Sequence, residues 1–148
     1  MVPQRVLVVD DERPIRTMLR AYLVGGGYEV IEAALGTEAI RKLTATAVDL
    51  VILDLGLPDL DGMDVLATIR EASDVPVIVV TARAEELDKL SCLGAGADDY
   101  VTKPFSPREV VARVNTVLRR AVRQGGVPPL DPVLDVAGMV IDPRSREV

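Results

Sequence analysis

The sequence predicts an α/β domain built on a doubly wound, five-stranded parallel sheet. Three observations carry this. Short apolar runs of strand length recur at Val6–Val9, Tyr28–Ile31, Leu50–Leu53, Val77–Val80 and, more weakly, Tyr100–Val101. The stretches between them space their apolar residues as helices do. Aromatics make up only 3% of the 148 residues, so the core must be assembled from Val, Leu, Ile and Ala. Runs of β-branched residues buried on both faces are what helix-covered parallel strands require.

The first run, Val6–Val9, leads into a helical pattern of Ile15, Met18, Leu19, Tyr22 and Leu23, with Pro14 in the first turn. The last helix has the clearest signals. Ser106 and Glu109 have capping-box spacing around Pro107, and Val110, Val111, Val114, Val117, Leu118 and Ala121 then form one apolar face. Five strands alternating with five helices imply right-handed crossovers, and ligands in such sheets lie beyond the carboxyl ends of the strands. This domain is expected over residues 1–123. Residues 124–132, QGGVPPLDP, read as a linker, and residues 133–148 as a small hairpin opening a further domain that is cut off.

Hydrophobic residues at 49% and charged residues at 27% suit a globular chain with a real core. The net charge of −6 argues against this segment gripping nucleic acid, which needs a basic surface. The lone Cys92, expected as a small semi-buried hydrophobe on a helix, cannot form an internal disulfide and favours a reducing cytoplasm. No apolar run approaches the roughly 18 residues that would span a bilayer, and the first residues lack a signal-peptide pattern. Histidine is absent, which removes imidazole acid–base chemistry and disfavours transition metals. A phosphohistidine donor would have to be another protein.

The informative residues stand where the apolar runs stop. Asp10, Asp11 and Glu12 follow the first, Asp54 the third, Thr81 the fourth and Lys103 the fifth. Each alone has an ordinary explanation: acids at a helix start, a turn residue, a helix cap, a solvated lysine. In a sheet ordered 2-1-3-4-5, however, all of them meet at one rim. Carboxylates packed together repel unless a cation sits among them, and hard oxygen donors without Cys or His select Mg²⁺ or Mn²⁺. The chemistry that fits is phosphoryl transfer to a carboxylate. Asp54 would be the nucleophile, with Lys103 and the Thr81 hydroxyl holding phosphoryl oxygens.

The stretches VLVVDDE (Val6–Glu12), VDLVILDLGLPDLDGMDVL (Val48–Leu66), VPVIVVTAR (Val75–Arg83) and GADDYVTKPFSPREVVARV (Gly96–Val114) resemble the receiver domains of bacterial response regulators. The resemblance implies a flavodoxin-like fold and a phosphoacceptor and switch rather than a turnover enzyme. It also implies Mg²⁺ held by Asp11, Asp54 and the backbone carbonyl of Gly56, with Asp10 acting through water. A cis Lys103–Pro104 peptide and a Thr81–Tyr100 switch pair complete the expected site. The subclass looks like the OmpR/PhoB type, with a winged-helix DNA-binding domain lying beyond Val148. The implied partners are a sensor histidine kinase, a second copy of the chain on phosphorylation, and DNA only through the absent domain; none is a membrane.

The dimer would form through the fourth helix, fifth strand and fifth helix. Leu90, Leu93 and Ala112 would centre it, with Lys89 pairing to Glu109 of the partner, Asp99 to Arg113 and Asp98 to Arg120. Two other readings fit less well. A haloacid-dehalogenase-type phosphatase expects a second acid two residues after its nucleophile, where Gly56 stands. A flavin binder needs a glycine-rich loop after strand one, where Asp-Asp-Glu stands.

Overall fold

The computed structural model describes residues 3–82 and 94–124, with side chains through Ala121. The chain divides into two units, Met1–Leu118 and Arg119–Val148, and only the end of one helix represents the second among the described residues. Strands β1 (Arg5–Val9), β2 (Glu29–Ala33), β3 (Leu50–Asp54), β4 (Val77–Thr81) and β5 (Asp99–Thr102) form one sheet in the order β2-β1-β3-β4-β5. Every neighbouring pair is parallel. The described helices are α1 (Arg13–Gly25), α2 (Gly36–Ala45), α3 (Gly62–Ala72) and α4 (Pro107–Gln124), the last being the fifth helix of the sequence reading.

Alternation along each strand builds two cores. Leu7, Val9, Val51, Leu53, Val77 and Val79 pack with Ala39 of α2 and Val65, Leu66 and Ile69 of α3. The intervening Val6, Val8, Leu50, Ile52, Ile78 and Val80 pack with Leu19 and Leu23 of α1 and Val110, Val114, Val117 and Leu118 of α4. β3 and β4 are buried at all five positions, as central strands covered on both faces should be.

Three local expectations need correction. β2 starts after Tyr28 and continues to Ala33, two residues past the apolar run. Glu32 ends the run in sequence but stays in the strand, because Arg16 and Arg20 neutralise it. Tyr22 faces outward at 41% exposure, so the core stripe of α1 is narrower than its apolar spacing suggests. At the start of α4 the Ser106 hydroxyl accepts from Arg108 rather than Glu109, and the Glu109 carboxylate pairs with Arg113. The helix expected between β4 and β5, with Lys89, Leu90, Cys92 and Leu93, lies outside the described residues, as do residues 125–148 of the linker and tail.

Candidate functional site

Four of the five apolar runs deliver a polar residue to the carboxyl rim of the sheet. β1 ends at Val9, and Asp10 and Asp11 follow; Asp54 closes β3, Thr81 closes β4, and Lys103 follows β5. Asp10, Asp54 and Thr81 are the buried polar residues of the molecule among the described residues, at 2%, 5% and 4% exposure, while Asp11 is exposed. One oxygen from each of Asp10, Asp11 and Asp54 lies within 4.8 Å of the others, close enough to hold a single cation. The Lys103 ammonium sits 3.1 Å from Asp10 Oδ2 and 3.3 Å from Asp54 Oδ2.

Backbone bonds fix these positions. Lys103 N–H donates to the Thr81 carbonyl at 2.8 Å and Leu55 N–H to the Val80 carbonyl at 3.1 Å, tying the ends of β3, β4 and β5 together. The Lys103–Pro104 peptide is cis, as expected. Gly56 N–H donates to Asp54 Oδ1 at 3.1 Å, and Glu12 N–H to Asp10 Oδ1 at 2.8 Å. After Asp54 the chain turns back to start α3, where Asp61 caps the helix by accepting from Met63 N–H. Gly62 is required there, because a Cβ would stand 2.3 Å from the Leu55 Cα.

The electrostatics follow from burial and from the excess of carboxylates. Burial pushes the Asp10 carboxyl above the ordinary carboxylate range; the Glu12 N–H works against this, and repulsion from Asp54 adds to it. Burial alone would lower the Lys103 ammonium, but Asp54 and Asp10 outweigh it and hold its pKa above the ordinary lysine value. The donor set is all oxygen and suits a hard divalent cation. By contrast, a groove of about 500 Å³ between α2 and α3 is lined by Ile40, Leu43, Ile69 and Val75. It lies at the amino end of the sheet, has no ionisable side chain, and offers none of this chemistry.

Sheet order, acid cluster and lysine thus match what the resemblance to receiver domains implies. The family model for the response regulator receiver domain matches residues 6–115. The chain belongs to the response regulator receiver family. It is 44% identical over 147 residues to the KDP operon transcriptional regulatory protein KdpE of Escherichia coli, covering 97% of this chain and 65% of KdpE. It is 40% identical over 151 residues to the phosphate regulon transcriptional regulatory protein PhoB of Pseudomonas aeruginosa, covering 100% of this chain and 64% of PhoB. The chain therefore spans less than two thirds of the length of these relatives. Among solved structures, the response regulator TrrA of Thermotoga maritima, in complex with Mg²⁺-BeF, superposes with a TM-score of 0.70 at 38% identity, over 77% of this chain and 98% of that one. This receiver domain is a module of two-component signalling, related to transcriptional regulators of the OmpR/PhoB type.

The other expected site residues divide by location. Tyr100 is half-buried against the α2–α3 core, on the strand beside Thr81. In this single chain Arg113 pairs with its own Asp99 at 2.9 Å and its own Glu109 at 3.2 Å. Asp98 pairs with Arg70 at 3.2 Å and accepts from Val77 N–H at 2.8 Å. Ala112 and Arg120 are exposed. Two features escaped the sequence reading. Arg16 bridges Glu32 and the Asp10 carbonyl. Asp59, in the loop after Asp54, accepts from Gly36 N–H, Thr37 N–H and the Thr37 hydroxyl, capping α2 from another segment. The one available signal was negative: Leu35, at the N-cap of α2, has no side-chain oxygen to cap with.

Proposed function

We propose that Asp54 accepts a phosphoryl group from a sensor histidine kinase, and that this receiver domain controls a winged-helix output encoded beyond the region described. The observation that supports this most is the pairing of a buried Asp54 with an acid cluster close enough to hold a cation on one side and the Lys103 ammonium 3.3 Å away on the other. Asp11, Asp54 and the Gly56 carbonyl would hold Mg²⁺, with Mn²⁺ as a substitute and Asp10 acting through water. The bound cation supplies charge neutralisation for the equatorial oxygens of the transferring group.

In the reaction an Asp54 carboxylate oxygen attacks phosphorus. The phosphorus–nitrogen bond of the donor phosphohistidine breaks, its electron pair and a proton returning to the imidazole, and an aspartyl phosphate forms. A carboxylate needs no general base, because it is already deprotonated at neutral pH. Lys103 pairs with one phosphoryl oxygen and the Thr81 hydroxyl donates to another. Inward movement of Thr81, followed by the Tyr100 ring, then reshapes the β5–α4 face and promotes a two-fold dimer. The face includes Asp98, Asp99, Glu109, Ala112, Arg113 and Arg120, together with Lys89, Leu90 and Leu93. A two-fold axis doubles each contact. The match to PhoB covers 100% of the chain and that to KdpE 97%, so both extend into residues 125–148, which supports reading that tail as the linker and opening of the DNA-binding domain. A cytoplasmic location follows from these proposed partners.

Intact-mass measurement after incubation with acetyl phosphate and Mg²⁺ tests the assignment. One added phosphoryl group is expected on the wild type and none on Asp54→Asn. Full incorporation in Asp54→Asn would overturn it.

A further inference from the structure

β1 ends at Val9, which pairs with Ala33 on one side and Leu53 on the other. Asp10 and Asp11 lie past that register, yet they must hold their carboxylates beside Asp54 against mutual repulsion. What anchors Asp10 is not the sheet alone. Its N–H donates to the Ala33 carbonyl at 3.1 Å. Its carbonyl accepts from Arg16 Nη1 at 2.6 Å, while Arg16 Nε donates to Glu32 Oε1 at 3.1 Å. The Arg16 side chain is only 14% exposed, so this fork is held within the structure. The second Glu32 oxygen is taken by Arg20 at 2.5 Å, which leaves the first to Arg16.

We propose that Arg16 is a positioning residue for the acidic rim: it anchors the main chain of Asp10 to the edge strand β2, and divalent-cation affinity depends on that anchor. The inference rests on the reading of the rim as a cation site. A planar guanidinium can donate to Glu32 and to the Asp10 carbonyl at once; a lysine ammonium on a flexible stem offers no such fixed fork. The sign of the effect separates positioning from simple charge. Deleting a positive charge near a cation site should tighten cation binding by Coulomb's law. Losing the anchor should weaken it.

The test is Mg²⁺ titration of the full chain by calorimetry, with thermal unfolding alongside, for the wild type, Arg16→Lys, Arg16→Gln and Arg20→Gln. Both Arg16 variants should bind Mg²⁺ about three- to tenfold more weakly, a smaller loss than for direct supports of a ligating atom. Arg20→Gln disturbs the same Glu32 carboxylate without touching Asp10, and its Kd should stay within about twofold of the wild type. Should Arg16→Gln fold poorly, Arg16→Lys keeps the charge and carries the test. Unchanged or tighter binding in the Arg16 variants overturns the proposal, as does equal weakening in Arg20→Gln. A wild type that binds no Mg²⁺ would instead overturn the reading of the rim as a cation site.

Discussion

Two charge clusters lie either side of Asp10 and use the same chemistry in opposite proportions. At the rim, three carboxylates (Asp10, Asp11 and Asp54) face one ammonium, Lys103. At the β2 edge one carboxylate, Glu32, faces two guanidiniums, Arg16 and Arg20. The consequences run in opposite directions. Burial and Asp54 push the Asp10 carboxyl up. Burial also works to raise Glu32, but its bonds and charge pairs with Arg20 and Arg16 overcome this and hold it below the ordinary glutamate range. An ion pair that serves structure is complete within the protein. A pocket that serves chemistry is left short of positive charge, and something from outside must complete it.

The largest expected effect separates the clusters by what completes the rim. Mg²⁺ at a hundredfold excess over its Kd should stabilise the wild-type fold by about 2.7 kcal/mol, since it binds only the native state. In Asp11→Asn most of that gain should vanish, while Glu32→Gln, which only loosens the Arg16 anchor, should keep about half of it or more. Thermal unfolding with and without Mg²⁺ measures this. An equal gain in Asp11→Asn would mean that the cation binds elsewhere.

Without metal the two clusters should respond to charge removal with opposite signs. Glu32→Gln should destabilise by about 1 kcal/mol, a modest figure because solvent screens the half-exposed Arg20. Asp54→Asn should be neutral or stabilise by up to about 1 kcal/mol, because it relieves repulsion at a site built for function rather than stability. Urea unfolding in chelator-treated buffer reads both. A clear loss of stability in Asp54→Asn would show that the Lys103 pairing outweighs the repulsion. Acid should report the same asymmetry for Glu32. Its folded pKa is depressed, so its contribution is complete above the ordinary glutamate value of 4.5 and is lost as pH falls through the lower folded value. The stability gap between wild type and Glu32→Gln should therefore narrow below that pH, and a gap that persists unchanged would assign the loss to packing.

The rim was legible because a parallel sheet turns sequence order into position. An apolar run stops where the sheet stops, so sequence order alone places Asp54, Thr81 and Lys103 at one edge. The β2 cluster was not. Glu32 looked like the end of a strand, because nothing local shows that Arg16 and Arg20, on the preceding helix, will neutralise it inside the strand. Asp59 was missed for a related reason: it caps a helix 22 residues earlier, and capping patterns are sought within a helix's own first turn. What sequence patterns convey is periodicity and strand order; partnerships chosen by tertiary packing leave only an absence, such as the uncapped Leu35.

The smallest expected effect concerns a third ion pair, between β5 and α4. Arg113 donates to both oxygens of Asp99 at 2.9 Å and also to Glu109, and these partners hold its guanidinium above its ordinary pKa. Unlike Arg16, its side chain is 38% exposed, so water and salt compete for it. A double-mutant cycle on Asp99→Asn and Arg113→Ala should give a coupling below about 1 kcal/mol in the monomer, shrinking as salt rises. The weakness matters to the proposed dimer. A pair that costs little to open within one chain can be exchanged for the same pair across a two-fold axis, so the monomer does not lose much by releasing Arg113. Sedimentation of the phosphorylated protein should then show weaker association for Arg113→Ala than for wild type. If the coupling within the monomer is instead large and insensitive to salt, Arg113 is committed to its own chain, and the dimer must form through other residues.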